Sequence, residues 1–284
     1  MATLIRSAKS GSNWAPNDLR AFNIQVIRQD APTFFGQQEL PIPQNISPII
    51  WNNVAAPPGI QLSKVEQHFF AYLEDAMRMP PGEESLVDDF AVFLLSMLDY
   101  DNGYRVVHTR KEMSFYMCGS RVDAKADVTV IERRGPLFQY ILLVQEDKRY
   151  QSGEDPEPQV IAEAIAAFHQ NNRTRDSINL PPLESHIFPA ITLVGTAATF
   201  YKITITRDLL FAVEGGAYPL NATIVHKFVP SVPDLVNYAA VGMIPLENRR
   251  ILLQCFEAFK QFLLTELFHC RVKRRLELVA YTEC

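Results

Sequence analysis

The sequence predicts an α/β or α+β architecture, a central mixed β-sheet flanked by helices, and three observations carry that prediction. Helical periodicity occurs in four separated places, the stretches between them are rich in β-branched and apolar residues, and Gly or Pro punctuates the strand-like stretches at Gly103, Gly119 and Gly135-Pro136. The resulting order is helix, helix, several strands, helix, strands, helix, which fits helices packed on a sheet.

Residues 1–58 carry Pro16, Pro32, Pro41, Pro43, Pro48, Pro57 and Pro58 between short apolar pieces. Proline fixes φ and removes a backbone donor, so this segment is expected to be an extended arm or irregular segment, one able to wrap the rest, and not a helical unit. Residues 59–79 place Leu62, Val65, Phe69, Leu73 and Ala76 at helical spacing, with Ser63 and Glu66 in the pattern of a capping box and a stop at Pro80. "DDFAVFLLSMLDY" reads as a buried helix opened by acidic residues, which suit the positive end of the helix dipole. Strands are expected at 104–108, 113–118, 122–132 and 138–148, as a meander. A helix fits "PEPQVIAEAIAAFHQNN", with Pro158 in its first turn. Further strands follow in "HIFPAITLVGTAATFYKITITRDLLFAV" and "ATIVHKFV", and a long amphipathic helix is expected over 248–273.

With 284 residues and 48% hydrophobic composition the chain can bury a real core. Its net charge of -5 leaves no global basic footprint, so nucleic-acid contact would need local clusters of Lys and Arg, for which "HTRK", "ERR" and "RVKRR" are the candidates. No signal peptide or membrane-spanning run is apparent, and an intracellular location is expected. The four cysteines lack metal-ligand or C-x-x-C spacing, and His68 and His169 lack a second histidine at such spacing.

Chemistry concentrates in "YILLVQEDKRY", residues 140–150, where an apolar strand runs directly into Glu146, Asp147 and Lys148. Charges that end a buried strand need partners, because desolvating them is costly. Strand alternation puts Glu146 and Lys148 on one face, and upstream "AKADVTVIE" opens another apolar strand with Asp127. Carboxylates on adjacent strands suit Mg²⁺ or Mn²⁺, which prefer hard oxygen ligands. A tight turn centred between Arg134 and Gly135 would set Glu146 against Asp123, whereas Asp127 requires a longer loop or a bulge. Asp127 is favoured because "VTVI" follows it, and Asp123 is the second choice. Glu66 falls inside the apolar sector of its helix, so it either faces a metal or serves the capping box. Gln159 shares a polar stripe with Glu163 and Gln170, which points it toward solvent. Lys125 and Tyr150 lie within reach of a substrate.

An acidic residue on one strand followed by acid-x-Lys on the next resembles the PD-(D/E)XK nuclease superfamily, here through Asp127 with Glu146-Asp147-Lys148. The resemblance covers roughly residues 63–172 and departs from the pattern in having Ala126 where the eponymous proline stands. It implies a restriction-endonuclease-like core and a single nuclease-like domain over 59–284. It also implies hydrolysis of phosphodiester bonds in DNA or RNA. The resemblance assigns Asp127 and Glu146, with the Asp147 carbonyl and Glu66, to Mg²⁺ or Mn²⁺, Lys148 to catalysis, and Gln159 to substrate binding. The alternative is a catalytically inactive module of the same fold that binds protein or nucleic acid. A homodimer is compatible with the long C-terminal helix and the arm.

Overall fold

The computed structural model describes residues 6–78, 85–146 and 155–263. Seven strands form one mixed sheet: β1 (Ile24–Arg28), β2 (Arg105–Met117), β3 (Ser120–Arg134), β4 (Leu137–Glu146), β5 (Ser185–Val194), β6 (Ala197–Thr206) and β7 (Thr223–Phe228), in the spatial order β1-β7-β6-β5-β4-β3-β2. The sheet flanked by helices is the architecture expected from the pattern. β2, β3 and β4 form the antiparallel meander, β4 and β5 run parallel, β5-β6-β7 is antiparallel, and β1 joins β7 in parallel.

The helices are α1 (Pro16–Ala21), α2 (Ala31–Phe35), α3 (Pro48–Asn52), α4 (Lys64–Met77), α5 (Ser85–Met97), α6 (Glu157–Ser177), α7 (Arg207–Gly215), α8 (Tyr238–Val241) and α9 (Leu246–Phe259). They leave two apolar layers. One packs Val128, Val130, Val144, Ile191, Phe200 and Phe228 against α2, α4, α5 and α9. The other packs Ala124, Ala126, Leu143, Phe188, Tyr201 and Val225 against α6 and the N-terminal residues Trp14, Leu19 and Phe22. The β4-α6-β5 crossover is the connection a parallel pair requires. Covered on both faces, β4 reads as the unbroken apolar run Tyr140–Val144, as a buried strand should.

Three expectations about elements change, the first being that "RDLLFAV", expected within a strand run, is helix α7, opened by the Thr206 hydroxyl accepting from Leu209 N. The described part of the Pro-rich segment is built into the sheet and both cores: it supplies β1, and Phe22, Phe34 and Ile50 are almost fully buried. The two strand pieces expected at 104–108 and 113–118 are one strand, β2, because Arg110 adopts φ 53 and the chain passes a local irregularity without leaving the sheet. At the C-terminus α9 gives way to a 3-10 turn, Lys260–Leu263; the rest of the helix expected to 273 lies outside the described residues. Among the described residues no helix is long and apolar enough to cross a membrane.

Candidate functional site

Asp127 sits where the alternation of β3 slips. The β2–β3 register pairs Thr109 with Val128 and Lys111 with Ala126, leaving Arg110, at φ 53, beside Asp127. Ala124 and Ala126 belong to one core and Val128 and Val130 to the other, although all four share parity. A regular strand cannot do this, because successive side chains alternate faces. The irregularity, like a bulge, re-aims side chains and leaves a half-buried carboxylate inside the sheet.

The partner strand settles the register. β3 and β4 turn through Gly135 and Pro136, with Arg134 opposite Leu137, and a second shift at Val130/Ile131 brings Val128 opposite Val144. The turn is thus centred one residue later than expected, and the shift at Val130/Ile131 carries Asp127 to Gln145, one residue short of the Glu146 pairing expected of it. Continuing the pairing brings Asp127 level with Gln145, and Gln145 Nε2 donates to Asp127 Oδ2 at 2.6 Å. The Asp127 carboxylate therefore lies beside the residue that immediately precedes Glu146. Asp123 lies four residues back along β3, exposed and paired with Ser114 of β2. The backbone of Glu146 closes β4 and pairs with Leu193. Asp147, Lys148 and Tyr150 lie outside the described residues.

Helix α6 contributes a carboxylate that sequence reading assigned to solvent. Glu163 is completely buried and Gln159 half-buried, and Gln159 Nε2 donates to Glu163 Oε1 at 3.2 Å. The polar stripe on α6 therefore faces inward. Glu163 Oε2 has no hydrogen-bond partner among the described residues. Burial holds the Glu163 carboxyl well above its ordinary range, the negative charge of Asp127 pushes it further, and the bond from Gln159 opposes both. The two carboxylates are near enough for the charge of one to raise the other, and both offer hard oxygen, the donor that Mg²⁺ and Mn²⁺ prefer. The signal in the sequence was present: Glu163 is embedded in "VIAEAIAAF", an apolar surround too wide for a surface helix.

Glu66 is committed elsewhere. Its Oε2 accepts from Ser63 N at 2.7 Å, its Oε1 accepts from the Ser47 hydroxyl, and Ser63 Oγ receives Glu66 N, completing the capping box. These hydrogen bonds, led by that from Ser47, hold its carboxyl below the usual range. The residue sits at the start of α4, eleven residues and roughly 16 Å from Met77, whose sulfur meets Thr196 in the β5–β6 turn. Glu66 is buried, as its place in the apolar sector implies, yet a cap occupies it, and Val65 of the same sector is exposed.

A further acid was overlooked. Asp88, in the first turn of α5, is buried and shares a helix face with Ala91 and Leu95, which border a small void with Val144 and Leu193. The C-terminal end of α5 leads into β2 at Arg105, which pairs with Glu132, itself opposite Gln139 near the start of β4. The helix therefore begins toward the other end of β4, where Glu146 lies. The acidic opening of "DDFAVFLLSM" was legible but was attributed to the helix dipole alone.

Among the described residues no three His, Cys, Asp or Glu side chains are grouped closely enough to hold a metal ion. His169 is structural, its Nδ1 lying 2.9 Å from the Ser114 carbonyl oxygen. A separate cavity of about 570 Å³, bordered by Thr204, Asp208, Phe211, Asn221 and His226, contains none of the residues above. No protein-family model matches the chain, and no curated protein matches it.

Proposed function

We propose that the protein is a divalent-metal-dependent nuclease hydrolysing phosphodiester bonds of DNA or RNA. The observation that supports this reading best is the meeting of polar side chains from three elements: Asp127 of β3, bonded by Gln145 of β4, and Glu163 of α6, whose carboxyl the Asp127 charge raises, at the end of β4 that leads into Glu146. In this reading Asp127 and Glu146 would hold the ion with the Asp147 carbonyl at the end of β4, and the unpaired oxygen of buried Glu163 would offer a further oxygen donor. Mg²⁺ or Mn²⁺ bound there supplies Lewis acidity and a water of lowered pKa. Lys148 orients the attacking water and offsets charge building on phosphorus. Gln145 and Gln159 hold the two carboxylates in place.

The test is cleavage of labelled DNA and RNA, single- and double-stranded, with Mg²⁺ or Mn²⁺. Wild type should cut and EDTA should stop it. Asp127→Asn, Glu146→Ala and Lys148→Ala should each lose at least about 100-fold in rate while remaining folded. Intact substrate under all these conditions sinks the hydrolase reading and leaves a non-catalytic binding module of this fold.

A further inference from the structure

Cations in this chain are unevenly committed. Lys227 is held by Glu157, Arg207 by Glu184, and Arg249 by backbone carbonyls. By contrast, Arg110, Lys111, Arg121 and Lys125 have no anionic or carbonyl side-chain partner among the described residues, and all four lie on the β2–β3 hairpin that carries Asp127. Lys111 is opposite Ala126, the neighbour of Asp127, and so sits half-buried at the free edge of the sheet and not on the face of Lys125. Lys125 lies two residues before Asp127 and Arg121 six, so the row extends roughly 20 Å from the carboxylate.

An aromatic ring accompanies them. Tyr116 is 45% exposed, sits opposite Arg121, and is braced edge-on against His169 at 5.9 Å between centroids. A braced, half-exposed ring among unpaired cations is the pairing that single-stranded nucleic acid uses, phosphates on the cations and a base on the ring. A duplex keeps its bases stacked inside and offers none to such a ring. The same hairpin face also carries Glu112, opposite Lys125, and Asp123, both exposed. The surface is therefore a narrow track of contacts and not a broad positive field.

We infer that the solvent-facing side and free edge of the β2–β3 hairpin form the docking track of a single-stranded nucleic acid, whose backbone runs along Arg121, Lys125, Lys111 and Arg110 toward Asp127 with a base on Tyr116. This rests on the nuclease reading for what happens at the end of the track.

The experiment is fluorescence anisotropy in EDTA with labelled oligothymidylate of about 20 nucleotides and a duplex of the same length. Wild type should prefer the single strand. Arg110→Ala/Lys111→Ala/Lys125→Ala should weaken binding at least about 10-fold and flatten the logarithmic salt dependence by about 2. Tyr116→Ala should lose about 5- to 100-fold, and Tyr116→Phe should restore it. Asp123→Asn should tighten binding. Arg28→Ala/Lys64→Ala, which removes two unpaired exposed cations elsewhere, should change little. The inference is overturned if the triple variant binds like wild type, if the Arg28/Lys64 control loses as much, if duplex is preferred, or if the single strand is not bound. Cleavage with Mn²⁺ separates the two ideas. Triple-variant binding loss without wild-type cleavage keeps the track and removes the nuclease; cleavage with unmoved KM in the triple variant does the reverse.

Discussion

Among the described Asp, Glu, Lys and Arg side chains two, Glu163 and Arg249, are completely buried, and they are buried for different reasons. Glu163 has an oxygen without a partner beside the charge of Asp127, and its carboxyl is raised from an ordinary value near 4.5. A raised acid binds more protons folded than unfolded, so stability is fully present below the ordinary value and is lost as pH climbs through the folded one. Glu163→Gln should therefore leave the metal-free melting temperature nearly unchanged at pH 4 and raise it by a few degrees at pH 8, measured by calorimetry in EDTA. Equal shifts at both pH values would show that the acid is not titrating. Arg249 has no such tension. Its guanidinium donates to Ile50, Val54 and Met243 carbonyls at 3.2, 2.7 and 3.1 Å, donates also to Asn53, and lies 5.3 Å from the Phe69 ring. Burial lowers its pKa to about 10, so it remains charged at neutral pH. Arg249→Met orphans several carbonyls and should cost more than about 3 kcal/mol in urea unfolding. Arg249→Lys, lacking the fork, should recover less than half of that.

At the scale of elements, the slip at Arg110/Asp127 and the shift at Val130/Ile131 decide which side chains meet. Neither is written as a Gly or Pro in the sequence, because both residue pairs are ordinary and the irregularity is a compromise between two cores packing from opposite sides. The capping box of α4, by contrast, was legible from Ser63 and Glu66 alone, since it needs only four residues of local geometry. Helix α6 lies between these cases: its apolar run was evident, and the burial of its N-terminal half was not, because the polar stripe of Gln159 and Glu163 looked outward until the sheet and the N-terminal turn Gly11–Asn13 closed around it. That turn fits tightly. A Cβ on Gly11 would lie 2.7 Å from Ala124 Cβ and 3.6 Å from Ala162 Cβ. Gly11→Val should cost about 1–3 kcal/mol and speed proteolysis of residues 6–15, and an unchanged cleavage rate would argue that the turn is not pinned there.

At the scale of the whole molecule, the N-terminal segment belongs to the fold that carries the site. Trp14 and Phe22 pack beneath α6, while Phe34, Phe35 and Ile50 enter the opposite core with Phe228 and Phe259. A chain beginning at Gly59 loses β1 and these rings from both layers. It should fail to show a cooperative melting transition, whereas an independently stable 59–284 unit would melt as the full chain does.

The sequence by itself determined the sheet flanked by helices, the helix caps, and the placement of acids at the ends of apolar strands, because periodicity, capping and strand termination are local and are carried by contiguous residues. Only the tertiary structure decided that Asp127 meets Gln145, that Glu163 points inward, that Glu66 is taken by a cap, and that residues 6–58 help complete the core. Those outcomes depend on strand register and on which surface covers a face. A shift of one residue reverses every side chain's direction, and no local pattern specifies the covering partner.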